Sequence, residues 1–469
     1  MLFIIFNMKL ETFIDRIDSQ DRLRNALSRE NTQFIVIYGR RRIGKSTLIK
    51  ETLSKQDIYF LSDQTNEANQ RFLLSKTIAL NIPYFDRVIY PDWETLFREL
   101  NAKLTKRLLI CLDEFPYLVK SCPSIASVIQ KLLNERTLKF DLIICGSSQQ
   151  LMQGYILNRK EPLYGLADEI IKLDPIPVKY ISKALHINSE ESIEEYAVWG
   201  GIPRYWELRS DYPDRKTAIE KLILDTKGIL AEEPLRLLRD DLRETVQTST
   251  ILSIIGNGAN KLSEIAARAG KNATQITESL SKLRKLGYIR REIPFGENEK
   301  NSKKGIYKIN DNLLSFYFRF ISPYHSILEL GRYDTVMKMI DAQFTQFVGQ
   351  YWELLCRNFI SGNVIDGVTY NLASSWWGKI FPNDCKEGKM IELDVVAESF
   401  DKKHILIGEC KWTETENAER LIHDLSEKTK CLPFIKKEQK IHLVLFLKKR
   451  PLRQTGITYF LPEQIFENS

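Results

Sequence analysis

Two kinds of apolar spacing divide the chain. Between residues 33 and 175, short apolar runs alternate with stretches whose apolar residues recur at helical spacing. "QFIVIYG", "DIYFLSD", "RLLICLDE" and "FDLIICGSS" are nearly continuous apolar runs, the pattern of parallel strands covered on both faces. Residues 176–250 carry helical periodicity with few strand signals. Residues 251–310 predict three short helices and then a hairpin, and residues 311–345 a helical connector. From 346 to 469 a helix leads into strands at "KMIELDVVAE", "HILIGECKW" and "IHLVLFLKK". The expectation is a multidomain α/β protein divided at 1–175, 176–250, 251–310, 311–345 and 346–469.

Local signals sharpen the middle of the chain. Ser263 and Asn272 are of the types that cap helix N-termini. Ile276, Leu280 and Leu283 recur at helical spacing and should face a core. Gly287 is placed to close that helix. The whole segment reads as a winged helix whose wing tip is "GENEKNSKKG". From Lys282 to Lys304 there are eight basic and three acidic residues. That bias suits contact with a DNA backbone, and equally a soluble loop on a domain used for packing. Asn272 and Gln275 are the side chains of the third helix suited to base edges.

Composition changes the picture little. The 469 residues carry 68 Lys+Arg and 61 Asp+Glu, a net charge of +7, which permits a nucleic-acid partner without requiring one. Seven cysteines are scattered, and Cys111, Cys145 and Cys410 lie inside apolar runs. Buried thiols in a reducing, cytoplasmic setting follow, with neither a disulfide framework nor a zinc site. The opening "MLFIIFNMKL" lacks a basic start and a small-residue cleavage site, so no signal peptide is predicted. No apolar run approaches the ~20 residues of a membrane helix.

"FIVIYGRRRIGKSTLIKETL" places G-x4-G-K-S between a predicted strand and a helix, the context of a phosphate-binding loop. The loop comprises Gly39, Arg40, Arg41, Arg42, Ile43, Gly44, Lys45, Ser46 and Thr47. Gly39 and Gly44 let the backbone curl so that N–H groups face phosphate. Lys45 would reach the β and γ phosphates of ATP, and Ser46 would bind Mg2+. In "RLLICLDEF", Asp113 would hold the Mg2+ through water, and Glu114 would polarise the attacking water. Ser147 or Ser148, after the strand "FDLIICG", would sense the γ phosphate.

"IYGRRRIGKSTLI", "CLDEFPYL", "ICGSSQQLM", "PLYG" and "GGIPRYW" occur in the order found in the archaeal-type ATPases, a STAND-class family related to the AAA+ NTPases. The chain resembles that family along its whole length. The resemblance implies a P-loop ATPase core, a helical lid, a winged helix and a C-terminal nuclease-like domain. It implies that Gly201, Ile202 and Pro203 of the lid touch the nucleotide, and that "FIDRIDSQDRL" leads into the adenine pocket. Related NTPases often assemble, which leaves a homo-oligomer open. One departure stands out: Leu166 and Ala167 follow "PLYG" where the family often has arginine. Arg136 and Arg159 are the weak substitutes for the missing finger.

The C-terminal stretch "IELDVVAESFDKKHILIGECKW" puts Asp394, Glu409 and Lys411 on strands that look buried, where charges are costly. Glu409 and Lys411 are two apart and share a face. Asp394 and Glu409 would bind Mg2+, Lys411 would activate water, and Glu353 in "GQYWELLC" would complete the metal site. Cys410 and Trp412 would pack on the other face. The set resembles the PD-(D/E)XK nucleases. A structural ion-pair cluster, or a nuclease-like module that binds without cutting, fits the same residues. The leading reading is an ATP-driven switch that binds DNA and carries a Mg2+-dependent nuclease-like domain. The alternative is a nucleotide-dependent signalling or scaffold protein.

Overall fold

A computed structural model of the protein describes residues 15–242, 245–381, 388–414, 417–451, 456 and 458–467. The apolar opening "MLFIIFNMKL" lies outside the described residues. The chain forms two compact units. The first takes the described residues of 1–176 together with the short segments Ile202–Glu207 and Leu237–Arg243. The second takes the remainder, so the stretch expected to form one lid, 176–250, is shared between them.

In the first unit, five parallel strands form one sheet: β1 (Phe34–Gly39), β2 (Ile58–Leu61), β3 (Leu108–Asp113), β4 (Phe140–Gly146) and β5 (Glu169–Leu173). Their order is β2-β3-β4-β1-β5. Every residue of β1 and β4 is buried, which is why their sequences are apolar without alternation. The helices Glu67–Ala79, Trp93–Lys103 and Ile125–Glu135 bring Leu74, Ile78, Trp93, Leu96, Phe97, Leu100 and Ile129 into the core beneath the sheet. Each such large apolar side chain contributes about 1.5–3 kcal/mol by leaving water. Asn66 and Asp92 accept hydrogen bonds from Asn69 N–H and Thr95 N–H, fixing two of these helices at their N-termini. Strand β5 has no counterpart among the runs singled out in the sequence. As an edge strand reading "EIIKL" it is short, half polar and only partly buried.

The second unit begins with helices, among them Lys179–Leu185 and Ser189–Trp199. The latter starts in a capping box made by Asn188 and Glu191. Three helices follow, Thr245–Gly256, Leu262–Ala269 and Ala273–Lys285, and then the antiparallel hairpin β6 (Ile289–Glu292) and β7 (Ile306–Ile309). Ile276, Leu280 and Leu283 are buried, Asn272 caps its helix through Gln275 N–H, and Gly287 closes it at φ 78°. Ser263 does not cap: it lies inside its helix, whose N-cap position is Lys261.

The hairpin is not a free wing. Its β6–β7 loop folds back, with Arg291 donating to the carbonyls of Glu299 and Ser302. Phe295 N–H bonds to Ser375 O at 2.9 Å, and its ring packs on Phe434 with centroids 5.3 Å apart. The loop is thus docked on the C-terminal sheet.

The single helix Tyr333–Ile360 runs through the expected boundary at 345. No proline interrupts it, and Gly349 sits inside without ending it. A short hairpin, β8 (Val364–Ile365) and β9 (Val368–Thr369), leads to a mixed sheet. That sheet comprises β10 (Ser374–Ile380), β11 (Lys389–Glu398), β12 (His404–Lys411), β13 (Lys440–Leu447) and β14 (Thr458–Phe460), in that order. β11 is antiparallel to β12, whereas β12, β13 and β14 are parallel. Among the described residues no helix is long and apolar enough to cross a membrane.

Candidate functional site

Strand order explains how three distant segments of the first unit meet. β4 lies between β1 and β3, so the loops leaving the carboxyl ends of all three are neighbours. Ligands of open parallel sheets bind at such an edge. The loop Gly39–Thr47 leaves β1, Asp113 and Glu114 end β3, and Ser147 follows β4.

The two loop glycines are needed for different reasons. Gly44 has φ 96°, a left-handed conformation that side chains resist. At Gly39 the demand is space, because a Cβ there would come 2.6 Å from Leu173 O at the end of β5. Lys45 is buried and turned back on the loop, its Nζ donating to Gly39 O at 3.0 Å and Arg40 O at 3.1 Å.

Ser46 Oγ donates to Asp113 Oδ2 at 2.6 Å. The same carboxylate oxygen accepts from Tyr59 OH at 2.5 Å, while Asp113 Oδ1 accepts from Glu114 N–H at 2.9 Å. Burial by itself would raise the Asp113 pKa. The hydrogen bonds from Ser46, Tyr59, Cys145 and the Glu114 backbone overcome that and hold it below the ordinary value. Burial, and then the bond to Asp113, push the Tyr59 hydroxyl upward, so it stays a donor.

Glu114 adopts φ 52°, strained for a residue with a side chain, at the entry to the helix Phe115–Ser121. Its Oε2 accepts from Ser147 N–H at 3.2 Å and Ser147 Oγ at 2.9 Å. Ser148, the other candidate, instead caps the helix Gln149–Leu157.

These groups line a cleft of about 530 Å³ bounded by Arg41, Arg42, Gly44, Lys45, Ser46, Thr47, Glu114, Ser147, Pro203, Arg204 and Glu207. Pro203 lines this cleft, and Ile202 is buried. The arginines of the loop do not all face the cleft alike. Arg40 Nη2 donates to Tyr205 OH at 3.1 Å, and Arg41 pairs with Asp240 at 3.0 Å. Arg136 and Arg159 are exposed and do not line the cleft. Leu166 and Ala167, which follow "PLYG", pack against the sheet core.

The fold and cleft are those of a P-loop ATPase. Residues 13–208 match the family described as an ATPase domain predominantly from Archaea, and residues 317–422 match a family of archaeal and bacterial proteins of unknown function. An uncharacterized protein of Methanocaldococcus jannaschii is 31% identical over 433 residues, covering 90% of this chain and 92% of its own length. In fold, the Walker-type ATPase of Pyrococcus abyssi is similar at a TM-score of 0.52 and 19% identity, covering 67% of this chain and 100% of that one. The chain belongs to one family with the M. jannaschii protein and carries an archaeal-type ATPase domain.

The second cluster lies in the C-terminal sheet. Val395 pairs with Gly408, and continuing that register sets Asp394 beside Glu409. Asp394 Oδ2 accepts from Cys410 N–H at 2.7 Å. Its pKa is pushed up to about 7 by burial and then by the nearby carboxylates of Glu353 and Glu409. Burial also raises the pKa of Glu353, which lies on the helix Tyr333–Ile360, against the pull of Lys308 and Arg357. Arg357 Nη1 donates to Asp394 O at 3.0 Å and lies 3.7 Å from Glu353. Cys410 and Trp412 are buried, and Trp412 packs on Trp352 at 5.2 Å.

The carboxylates gather, but not as a cage for metal. Glu409 is engaged by Lys411 at 2.9 Å and Lys428 at 3.0 Å. Among the described residues no group of three or more His, Cys, Asp or Glu side chains is arranged to hold a metal ion. The ion-paired state of Glu409 is the physical reason: its two oxygens face two ammonium groups.

Sequence reasoning missed Tyr59 and Lys428. Tyr59 carried one weak signal, a polar tip in the middle of the apolar run "DIYFLSD". Lys428, on the helix Ala418–Thr429, carried none, because only folding brings it to Glu409.

Proposed function

We propose that this ATPase is a nucleotide-driven switch whose second unit engages nucleic acid through its winged-helix segment and its C-terminal carboxylate–lysine cluster. The observation that carries the reading is the bond from Ser46 to Asp113. It sets a hydroxyl and a carboxylate side by side, both hard oxygen donors suited to the Mg2+ that accompanies ATP. In that role Lys45 exchanges the carbonyls of Gly39 and Arg40 for the β and γ phosphates. Gly39 to Thr47 supply backbone N–H groups, and Glu114, held by Ser147, orients the attacking water. Bound Mg2+ would neutralise charge developing on the phosphates. Pro203, at the start of the helix Pro203–Ser210, belongs to the nucleotide wall.

For the second unit, Asp394, Glu353 and Glu409 supply excess negative charge beside Lys411, the donor set of a divalent-cation phosphodiesterase. The raised pKa of Asp394 supports this reading, since crowded carboxylates favour a cation. Metal entry requires Glu409 to give up Lys411 or Lys428. A second reading, binding without cutting, is favoured by those two ion pairs and by the docked β6–β7 loop.

Calorimetry of the full-length protein with ATP, and separately with Mn2+, tests both halves. Lys45→Ala should abolish ATP binding, and ATP affinity equal to wild type would refute the phosphate-loop roles. Mn2+ binding lost in Asp394→Asn would support the metal reading, while no Mn2+ binding by wild type would leave binding without cutting.

A further inference from the structure

A phosphate-binding loop turns its N–H groups toward the ligand, so its carbonyls face the other way and need donors behind it. Behind this loop stands Arg16, just ahead of the helix Ile17–Leu27. It is only 8% exposed. Its Nη2 donates to Ile43 O at 3.0 Å and its Nη1 to Asp174 O at 2.7 Å. Asp174 directly follows Leu173, whose carbonyl lies 2.6 Å from where a Cβ on Gly39 would sit. The end of β5 is therefore the back wall of the loop, approached once by Gly39 and tied once through Arg16.

We propose that Arg16 is a positioning residue for nucleotide binding: it fixes the Ile43–Gly44 peptide from behind so that Gly44 N–H faces the phosphates. The proposal rests on the phosphate-loop reading of Gly39–Thr47. A guanidinium donating to the Ile43 carbonyl makes a charge-assisted bond, stronger than a neutral one. It also polarises the peptide, so that the N–H on its other side becomes a better donor to an anion. The bond to Asp174 anchors the cation to the sheet, so the loop is held against β5 and does not drift with the side chain. Lysine cannot replace this geometry, because one ammonium lacks the planar fork that reaches two separated carbonyls.

The test is steady-state ATP hydrolysis by full-length wild type, Arg16→Ala and Arg16→Lys, with ADP affinity measured alongside. Arg16→Ala should raise KM for ATP and Kd for ADP by about tenfold or more, the scale of a lost hydrogen bond to a charged group. Its kcat should stay within about twofold, because Arg16 touches no reacting atom. Arg16→Lys should fall between wild type and Arg16→Ala, and it carries the test if the alanine variant does not fold. Unchanged KM and Kd in a folded variant would overturn the proposal, as would a fall in kcat with KM intact. Failure of the underlying reading looks different: Lys45→Ala would then leave wild-type ATP affinity unaltered.

Discussion

Ser147 donates two hydrogen bonds to one carboxylate oxygen of Glu114, from its backbone N–H at 3.2 Å and its hydroxyl at 2.9 Å. The residues come from the ends of adjacent strands β4 and β3, so the pairing is made by the sheet order. It fixes the direction of the carboxylate at the cleft wall. Ser147→Ala removes the hydroxyl bond and leaves the weaker backbone one. Single-turnover hydrolysis should slow about tenfold through loss of orientation, with ATP affinity within about twofold of wild type.

Glu114→Gln keeps the shape and the bond from Ser147 but removes the charge proposed to polarise water. ATP binding should persist, and turnover should fall by about a hundredfold or more, the usual scale for a lost general base. Phosphate release measured beside equilibrium ATP binding separates the two effects.

Asp394 predicts a pH dependence of stability. Its folded pKa, about 7, lies above the ordinary 3.8. The stabilising contribution of the protonated group is therefore complete below about 3.8 and is lost as pH rises through 7. Asp394→Asn removes that loss. Thermal melts should show the variant level with wild type below about pH 3.8 and increasingly more stable than wild type as pH rises to about 8. Where Mn2+ binds, it should raise the melting temperature of wild type at the higher pH and leave Asp394→Asn unchanged.

Glu292 predicts the opposite sign. Burial acts to raise its pKa, but Arg290, Lys308 and Arg357 pull it down to about 2. Its contribution is present above the ordinary 4.5 and is lost as pH falls through 2. The carboxylate lies 2.7 Å from Arg290, 3.0 Å from Lys308 and 3.6 Å from Arg357, joining the β6–β7 hairpin to the long helix Tyr333–Ile360. Glu292→Ala leaves three cations facing one another, and urea unfolding should show a loss of about 3 kcal/mol or more, the cost of breaking a buried pair.

Much of this was legible in the chain. Strands β1, β3 and β4 were visible because burial along nearly their whole length demands unbroken apolar runs, while β2 and β11 to β13 showed through apolar stretches that are only partly covered. The positions of Lys45, Asp113 and Glu114 followed because a phosphate loop and a second acidic strand end must share one sheet edge. Edge strand β5 was not legible, since a half-covered strand needs no apolar run. Nor was the docked β6–β7 loop: its lysines read as a free wing, whereas Phe295, one aromatic residue among them, decides the packing against Phe434. The ion pairs of Glu409 were half legible. Lys411 shares its face by strand period, but Lys428 arrives from a helix that no local spacing connects to it.

In the proposed function, nucleotide bound in the first unit controls cleavage by the second. The measurement is cleavage of DNA by the full-length protein with Mg2+ or Mn2+, in paired reactions with and without ATP. The account predicts metal-dependent cutting whose rate changes with ATP in wild type, loses that response in Lys45→Ala, and disappears in Glu409→Ala and Lys411→Ala. Cutting that is the same in wild type and these two C-terminal variants, or no cutting under any condition, would contradict it.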